Sequence, residues 1–145
     1  MTRIEEALLK MAEGYNCAQS VFFSFCDDLH IDRNTALKMV TGLGAGMGRK
    51  EEVCGAVTGG IIVIGARYGR GEKDDKTATE LTYRRTRDLM DRFAEKYGSY
   101  ICRRLLHECD LNTEKGQKYF KDNDLAKKIC VPCVQSVVEI LQHMI

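Results

Sequence analysis

The stretch Glu51-Glu52-Val53-Cys54-Gly55-Ala56-Val57-Thr58-Gly59-Gly60-Ile61-Ile62-Val63-Ile64-Gly65-Ala66-Arg67-Tyr68 decides the fold class. Its β-branched run Ile61 to Ile64 suits a buried strand, and its apolar length suits a buried helix. Periodicity alone does not separate the two. The run is too long for a strand. Acids stand at its start (Glu51, Glu52) and Arg67 at its end, which matches the helix dipole. We therefore read a helix from about Glu51 to Tyr68, stopped by Gly69-Arg70-Gly71. Gly55, Gly59 and Gly60 lie within it, and glycine costs a helix about 1 kcal/mol relative to alanine. Such glycines imply that another helix, or a bulky group, lies close against that face.

Outward from this segment the pattern stays helical. Thr2 caps a first helix ending at Gly14, and Asn16 caps a second from Cys17 to about Leu29. Asp32 caps a third to about Thr41. Gly42 to Gly48 is too rich in glycine for regular structure. A long amphipathic helix spans about Asp75 to Tyr97. Ser99 caps a short one through about Glu108, and Thr113 begins another. A further turn starts at Asp124 and is broken at Cys130-Val131-Pro132-Cys133. Pro132 then opens a last helix. The expectation is an all-α, compact single-domain bundle (residues 1–145) of about five to seven helices around a central glycine-rich apolar helix.

Composition narrows the function classes. The 145 residues include 22 Lys and Arg against 21 Asp and Glu, a net charge of +1. No basic excess points to nucleic acid. The longest apolar stretch, Val53 to Ala66, is shorter than the ~20 residues of a membrane helix. No apolar signal core stands at the N-terminus, so the expected location is cytoplasmic. One proline and no tryptophan argue against a turn-rich β fold.

Seven cysteines are the outlying number. In a reducing compartment, cysteines are more often catalytic, redox-sensing or metal-binding than structural. Cys17 and Cys54 each fall in the expected first turn of a helix, where unpaired N–H groups favour the thiolate. Cys102 lies near a helix start beside Arg103 and Arg104. Cys109, seven residues on, shares its face but sits at the helix end, where a thiolate is disfavoured. Cys130-Val131-Pro132-Cys133 is a C-x-x-C opening a helix. That is the arrangement of disulfide oxidoreductases, and also half of a zinc or iron–sulfur site. Cys26 reads as core. His107 is a candidate accessory ligand, and His30 and His143 are scattered. A dinucleotide reading of Gly42 to Gly48 fails, because a helix rather than a strand precedes it.

These residues together resemble the C_GCAxxG_C_C family of redox-active proteins, named for its cysteine pattern. Tyr15-Asn16-Cys17-Ala18-Gln19-Ser20-Val21 is similar to its opening motif. Gly42 to Gly48, with Glu52-Val53-Cys54-Gly55-Ala56-Val57-Thr58-Gly59, is similar to its central signature. Cys102-Arg103, Leu105-Leu106, Cys109-Asp110-Leu111 and Cys130 match its later segments. The resemblance covers nearly the whole chain. It implies four principal cysteines, Cys17, Cys54, Cys102 and Cys130, with Cys109 and Cys133 as additions. It implies a redox role without naming reaction or substrate.

Three functions are open at this point. The first is a thiol/disulfide redox protein, a possible oxidoreductase, working with an unknown redox partner. The second is an iron–sulfur or other soft-metal module held by Cys17, Cys54, Cys102 and Cys130, with Cys133 and Cys109 as further ligands. The third is a structural or adaptor protein. Gly55 and Gly59 are candidates for contact with a cofactor. The apolar helix could also pair two copies in a homodimer. The expectation is that the four principal cysteines converge on one site.

Overall fold

A computed structural model describes residues 1–145. The chain is helical throughout, with eight right-handed α-helices and one isolated antiparallel bridge between Val53 and Ile101. The helices are α1 (Arg3–Ala12), α2 (Cys17–Cys26), α3 (Arg33–Met39), α4 (Gly55–Tyr68), α5 (Lys76–Tyr97), α6 (Cys102–Leu105), α7 (Glu114–Asp122) and α8 (Val131–Met144). No helix is long and apolar enough to cross a membrane.

The caps read from sequence carry most of the boundaries. Thr2 and Asn16 each form a capping box, with Glu5 and Gln19 respectively. Asp32, Asp75 and Thr113 accept from backbone N–H groups at the starts of α3, α5 and α7. Gly98 ends α5 at φ 82°, a left-handed conformation that suits glycine.

Several expectations need correction. The helix count is eight rather than five to seven, because the short polar segments also close into turns. The apolar helix begins at Gly55, not Glu51, so Glu51 and Glu52 do not serve its dipole. They belong to an irregular segment described below. The helix expected from Ser99 to Glu108 is the single turn α6, and Ile101 rather than Ser99 is its N-cap. Ser99 Oγ accepts from Ile101 N instead. His107 and Glu108 adopt left-handed φ values, which ends any helix there. The turn after Asp124 is not broken at Cys130. Residues Ala126–Cys130 form a π-helical turn that runs straight into α8.

The main core gathers Val21, Phe22 and Phe25 of α2, Val57 and Ile64 of α4, Leu89 and Phe93 of α5, and Val137 and Leu141 of α8. The α4 glycines explain how these helices approach. A Cβ built on Gly59 would stand 2.8 Å from Ala18 O and 2.9 Å from Ala18 Cα. One on Gly60 would stand 2.9 Å from both Leu89 Cδ2 and Val137 Cγ1. A Cβ on Gly65 would meet nothing within 4 Å. The helical cost of the first two glycines is thus offset by close packing of α4 on the α2 backbone at Gly59 and on α5 and α8 side chains at Gly60.

This contrast yields a stability prediction. Gly59→Val should lower the unfolding free energy by about 2–3 kcal/mol through overpacking against Ala18. Gly65→Ala should raise it by up to about 1 kcal/mol, because only helix propensity changes there. Denaturant unfolding of both variants measures the pair.

Candidate functional site

The path from α3 to α4 is unusual, and it shapes the site. Ala45, Gly46, Met47, Gly48 and Arg49 take φ values of 54°, 65°, 67°, 59° and 67°, a left-handed turn, and Glu51 follows at 57°. An L-residue in this region costs about 1–2 kcal/mol. Gly46 is obligatory, since a Cβ there would lie 2.5 Å from Glu51 Cα. The turn is closed by Glu51 N to Ala45 O (3.1 Å) and Glu52 N to Gly46 O (3.0 Å).

Glu51 is the reason the turn holds. Its side chain has 0% exposure. Its Oε1 accepts from Arg103 Nε at 3.0 Å and from Leu111 N at 2.9 Å. Arg103 also pairs with Asp110 at 3.1 Å. The second carboxylate oxygen, Oε2, is buried without a hydrogen-bond partner. A buried carboxylate of this kind is costly unless paired, so the Glu51–Arg103 contact clamps the left-handed turn to α6. Beyond it, Cys102 N donates to Glu52 O (2.6 Å) and Cys54 N to Tyr100 O (2.7 Å). These bonds lay Cys54 and Cys102 alongside each other. The acidic pair reads from sequence as a helix start; the role of Glu51 depends on its partner Arg103, 52 residues away.

Five cysteines line one pocket of about 460 Å³: Cys17, Cys54, Cys102, Cys130 and Cys133. All seven cysteines of the chain are free thiols. The four principal cysteines from the sequence are among the five. Cys133, read as an addition, is only 1% exposed and is also one of them. Cys109 is not on this wall; its thiol donates to Gly116 O at 3.2 Å, within a small cluster with Leu106, Leu111 and Leu125. Cys26 is fully buried in the main core and donates to Phe23 O at 3.0 Å. His30, His107 and His143 are exposed and do not line the pocket. Gly55 lines it, whereas Gly59 faces Ala18. A Cβ on Gly55 would lie 3.4 Å from Cys17 Cβ, so this glycine lets the Cys17 and Cys54 helix starts approach each other.

The thiols are arranged in two pairs. Cys54, the N-cap of α4, accepts a hydrogen bond from the Cys133 thiol and faces the backbone N–H groups of Ala56 and Val57. Cys133 first, then these amides, hold the Cys54 thiol below its ordinary value despite burial. Donation to Cys54, burial and neighbouring sulfurs push Cys133 strongly up. In the second pair, the hydrogen bond to Cys130, followed by burial, raises Cys17 well above a free thiol. Position at a helix start alone predicted a thiolate at Cys17; the Cys130 contact and burial overturn that. Burial, Cys54 and Glu51 likewise push Cys102 up, outweighing Arg103. Within the C-x-x-C, Cys130 contacts Cys17 and Cys133 contacts Cys54, while Cys130 also helps raise Cys133. The motif does not open a free helix N-terminus, since the Val131 N–H bonds Ala126 O in the π-helical turn. No group of three or more His, Cys, Asp or Glu side chains is arranged to hold a metal ion.

Alkylation should report this electrostatic asymmetry. Cys54 should react with iodoacetamide at lower pH than any other thiol of the chain, because a lowered pKa enlarges its thiolate fraction below the ordinary thiol range. Cys133→Ala removes the largest lowering contact and should move the Cys54 profile to higher pH. Mass-resolved alkylation rates across pH 6 to 10, roughly the span of shifted thiol titrations, measure both.

No curated protein and no solved structure matches the chain. Residues 15–144 match a family described as "Putative redox-active protein (C_GCAxxG_C_C)". The segment holds all five pocket cysteines and stops one residue short of the C-terminus. By that match the chain belongs to the C_GCAxxG_C_C family.

Proposed function

We propose that the protein carries out thiol/disulfide exchange, with Cys54 as the attacking thiolate and Cys133 as the resolving thiol. The observation that carries this reading is the Cys54–Cys133 pair. One sulfur is held toward the thiolate by its neighbour's hydrogen bond and then by helix amides, and the neighbour is pushed toward the protonated form beside it. Such a pair divides the labour that exchange requires.

The Cys54 thiolate attacks one sulfur of a substrate disulfide, the substrate S–S bond breaks, and the leaving thiolate takes the Cys133 proton. The Cys133 thiolate then attacks Cys54 Sγ and expels the second substrate thiolate, which takes a proton from solvent. The substrate gains two electrons and two protons, and the protein holds a Cys54–Cys133 disulfide. Cys17 and Cys130 line the same pocket and contact each other.

A second reading has the five-thiol lining in its favour. Soft thiolate donors on one pocket suit an iron–sulfur cluster or another soft metal. Anaerobic purification with a visible spectrum and iron analysis tests it.

The exchange reading predicts that the reduced protein, equilibrated in dithiothreitol buffers of rising oxidation and then trapped by alkylation, forms a Cys54–Cys133 linkage in one two-electron transition. Cys54→Ser should abolish that transition. A first disulfide between Cys130 and Cys133, or none at all, overturns the reading.

A further inference from the structure

The pocket that holds the thiols also says what can reach them. Its volume of about 460 Å³ lies within the ~300–1,000 Å³ typical of small-molecule sites. Fourteen of its nineteen lining residues are hydrophobic. Leu105, Leu106, Leu111, Phe120 and Ile129 form much of the wall opposite the α2 and α4 starts. A folded protein's disulfide would have to bring two polypeptide chains into this space, together with their unsatisfied peptide groups.

The polar part of the lining is small and mostly committed. Asn16 caps α2 and donates to Thr41 O. Gln117 Nε2 donates to Leu111 O. Arg49 is the one charged residue of the lining, and it makes no ion pair or hydrogen bond within the protein. The Tyr15 hydroxyl is also without a partner. Arg49 belongs to the left-handed turn, at φ 67°, where an L-residue is strained. Arg49 is exposed, so its charge is free to meet a ligand entering the pocket, and its backbone belongs to the turn that Glu51 ties to Arg103. The site thus joins an apolar cavity, a wall of thiols and one unpaired cation.

Resting on the exchange reading above, we propose that the substrate is a small organic disulfide with an apolar body and an anionic group, bound in this pocket with its anion at Arg49 and its sulfur at Cys54. The exchange proceeds as already written, and the leaving half departs as a small anionic thiol. The size and largely apolar lining of this half-open pocket favour such a molecule over a folded protein's disulfide.

The test uses the full-length reduced protein and two aryl disulfides of similar breadth. One is 5,5′-dithiobis(2-nitrobenzoate), with one carboxylate per half; the other is the neutral 2,2′-dithiodipyridine. Both release coloured thiols, so Cys54-dependent rates come from stopped-flow absorbance, with Cys54→Ser subtracted. Asn tolerates left-handed φ, so Arg49→Asn removes the charge without new strain. It should slow the anionic disulfide about tenfold, the worth of one charge-assisted contact. It should leave the neutral one unchanged, and Arg49→Lys should restore most of the loss. Ala126→Phe, which fills the pocket, should slow both aryl disulfides but not methyl methanethiolsulfonate. Insulin disulfides should not be reduced. Equal slowing of both aryl disulfides by Arg49→Asn overturns the proposal, as does insulin reduction at the rate of the small substrates. If Cys54–Cys133 forms in dithiothreitol buffers while these charge and size effects are absent, the substrate assignment fails and exchange stands. If that linkage never forms, exchange itself fails.

Discussion

The close approach of α4 to α2 is the constraint on which the rest of the structure depends. Gly59 lies where any Cβ would meet the Ala18 backbone, and Gly55 lies where one would crowd Cys17. A side chain at Gly59 would clash with the α2 backbone, and one at Gly55 would require its neighbours to give by a few tenths of an ångström. The starts of α2 and α4 bear Cys17 and Cys54, so the same approach that closes the core also brings two thiols to one wall. Packing and site geometry are here a single requirement.

Around that contact the chain spends stability on the site. Four non-glycine residues, Ala45, Met47, Arg49 and Glu51, take left-handed conformations in one short stretch. The buried Glu51 carboxylate holds them by binding Arg103 and the Leu111 amide. Strain of this kind persists only where surrounding contacts over-determine it, and it is commonly found beside functional groups. The stretch carries Arg49 to the pocket and lays Cys54 against Cys102. The same carboxylate helps raise the Cys102 and Cys109 thiols, so it acts on the sulfurs electrostatically as well as sterically.

The sulfur arrangement shows why local motif reading misleads. A C-x-x-C at a helix opening suggests that its two thiols serve each other. Here the π-helical turn before α8 continues the helix through Cys130 and removes the free N-terminus that would activate it. Each cysteine of the motif turns to a sulfur from another element. Cys54 gains its lowered pKa first from Cys133, 79 positions away in the chain, and then from the α4 amides.

By itself the sequence determined the helical class, the capped starts of α1, α2, α3, α5 and α7, and the cysteines Cys17, Cys54, Cys102 and Cys130 as the candidate set. Those features rest on local signals: a cap, a period, a glycine where a close approach is needed. The tertiary structure decided the rest. It moved the start of α4 from Glu51 to Gly55, because Glu51 finds Arg103 and not a helix dipole. It placed Cys133 on the pocket wall beside Cys54, a partner distant in the chain, and Cys109 off it among Cys102, Leu106, Leu111 and Leu125. It lowers the Cys54 thiol and raises that of Cys17, since the sign of a thiol's shift depends on whether its sulfur neighbour donates or accepts. That is a property of two helices meeting, and neither helix carries it alone.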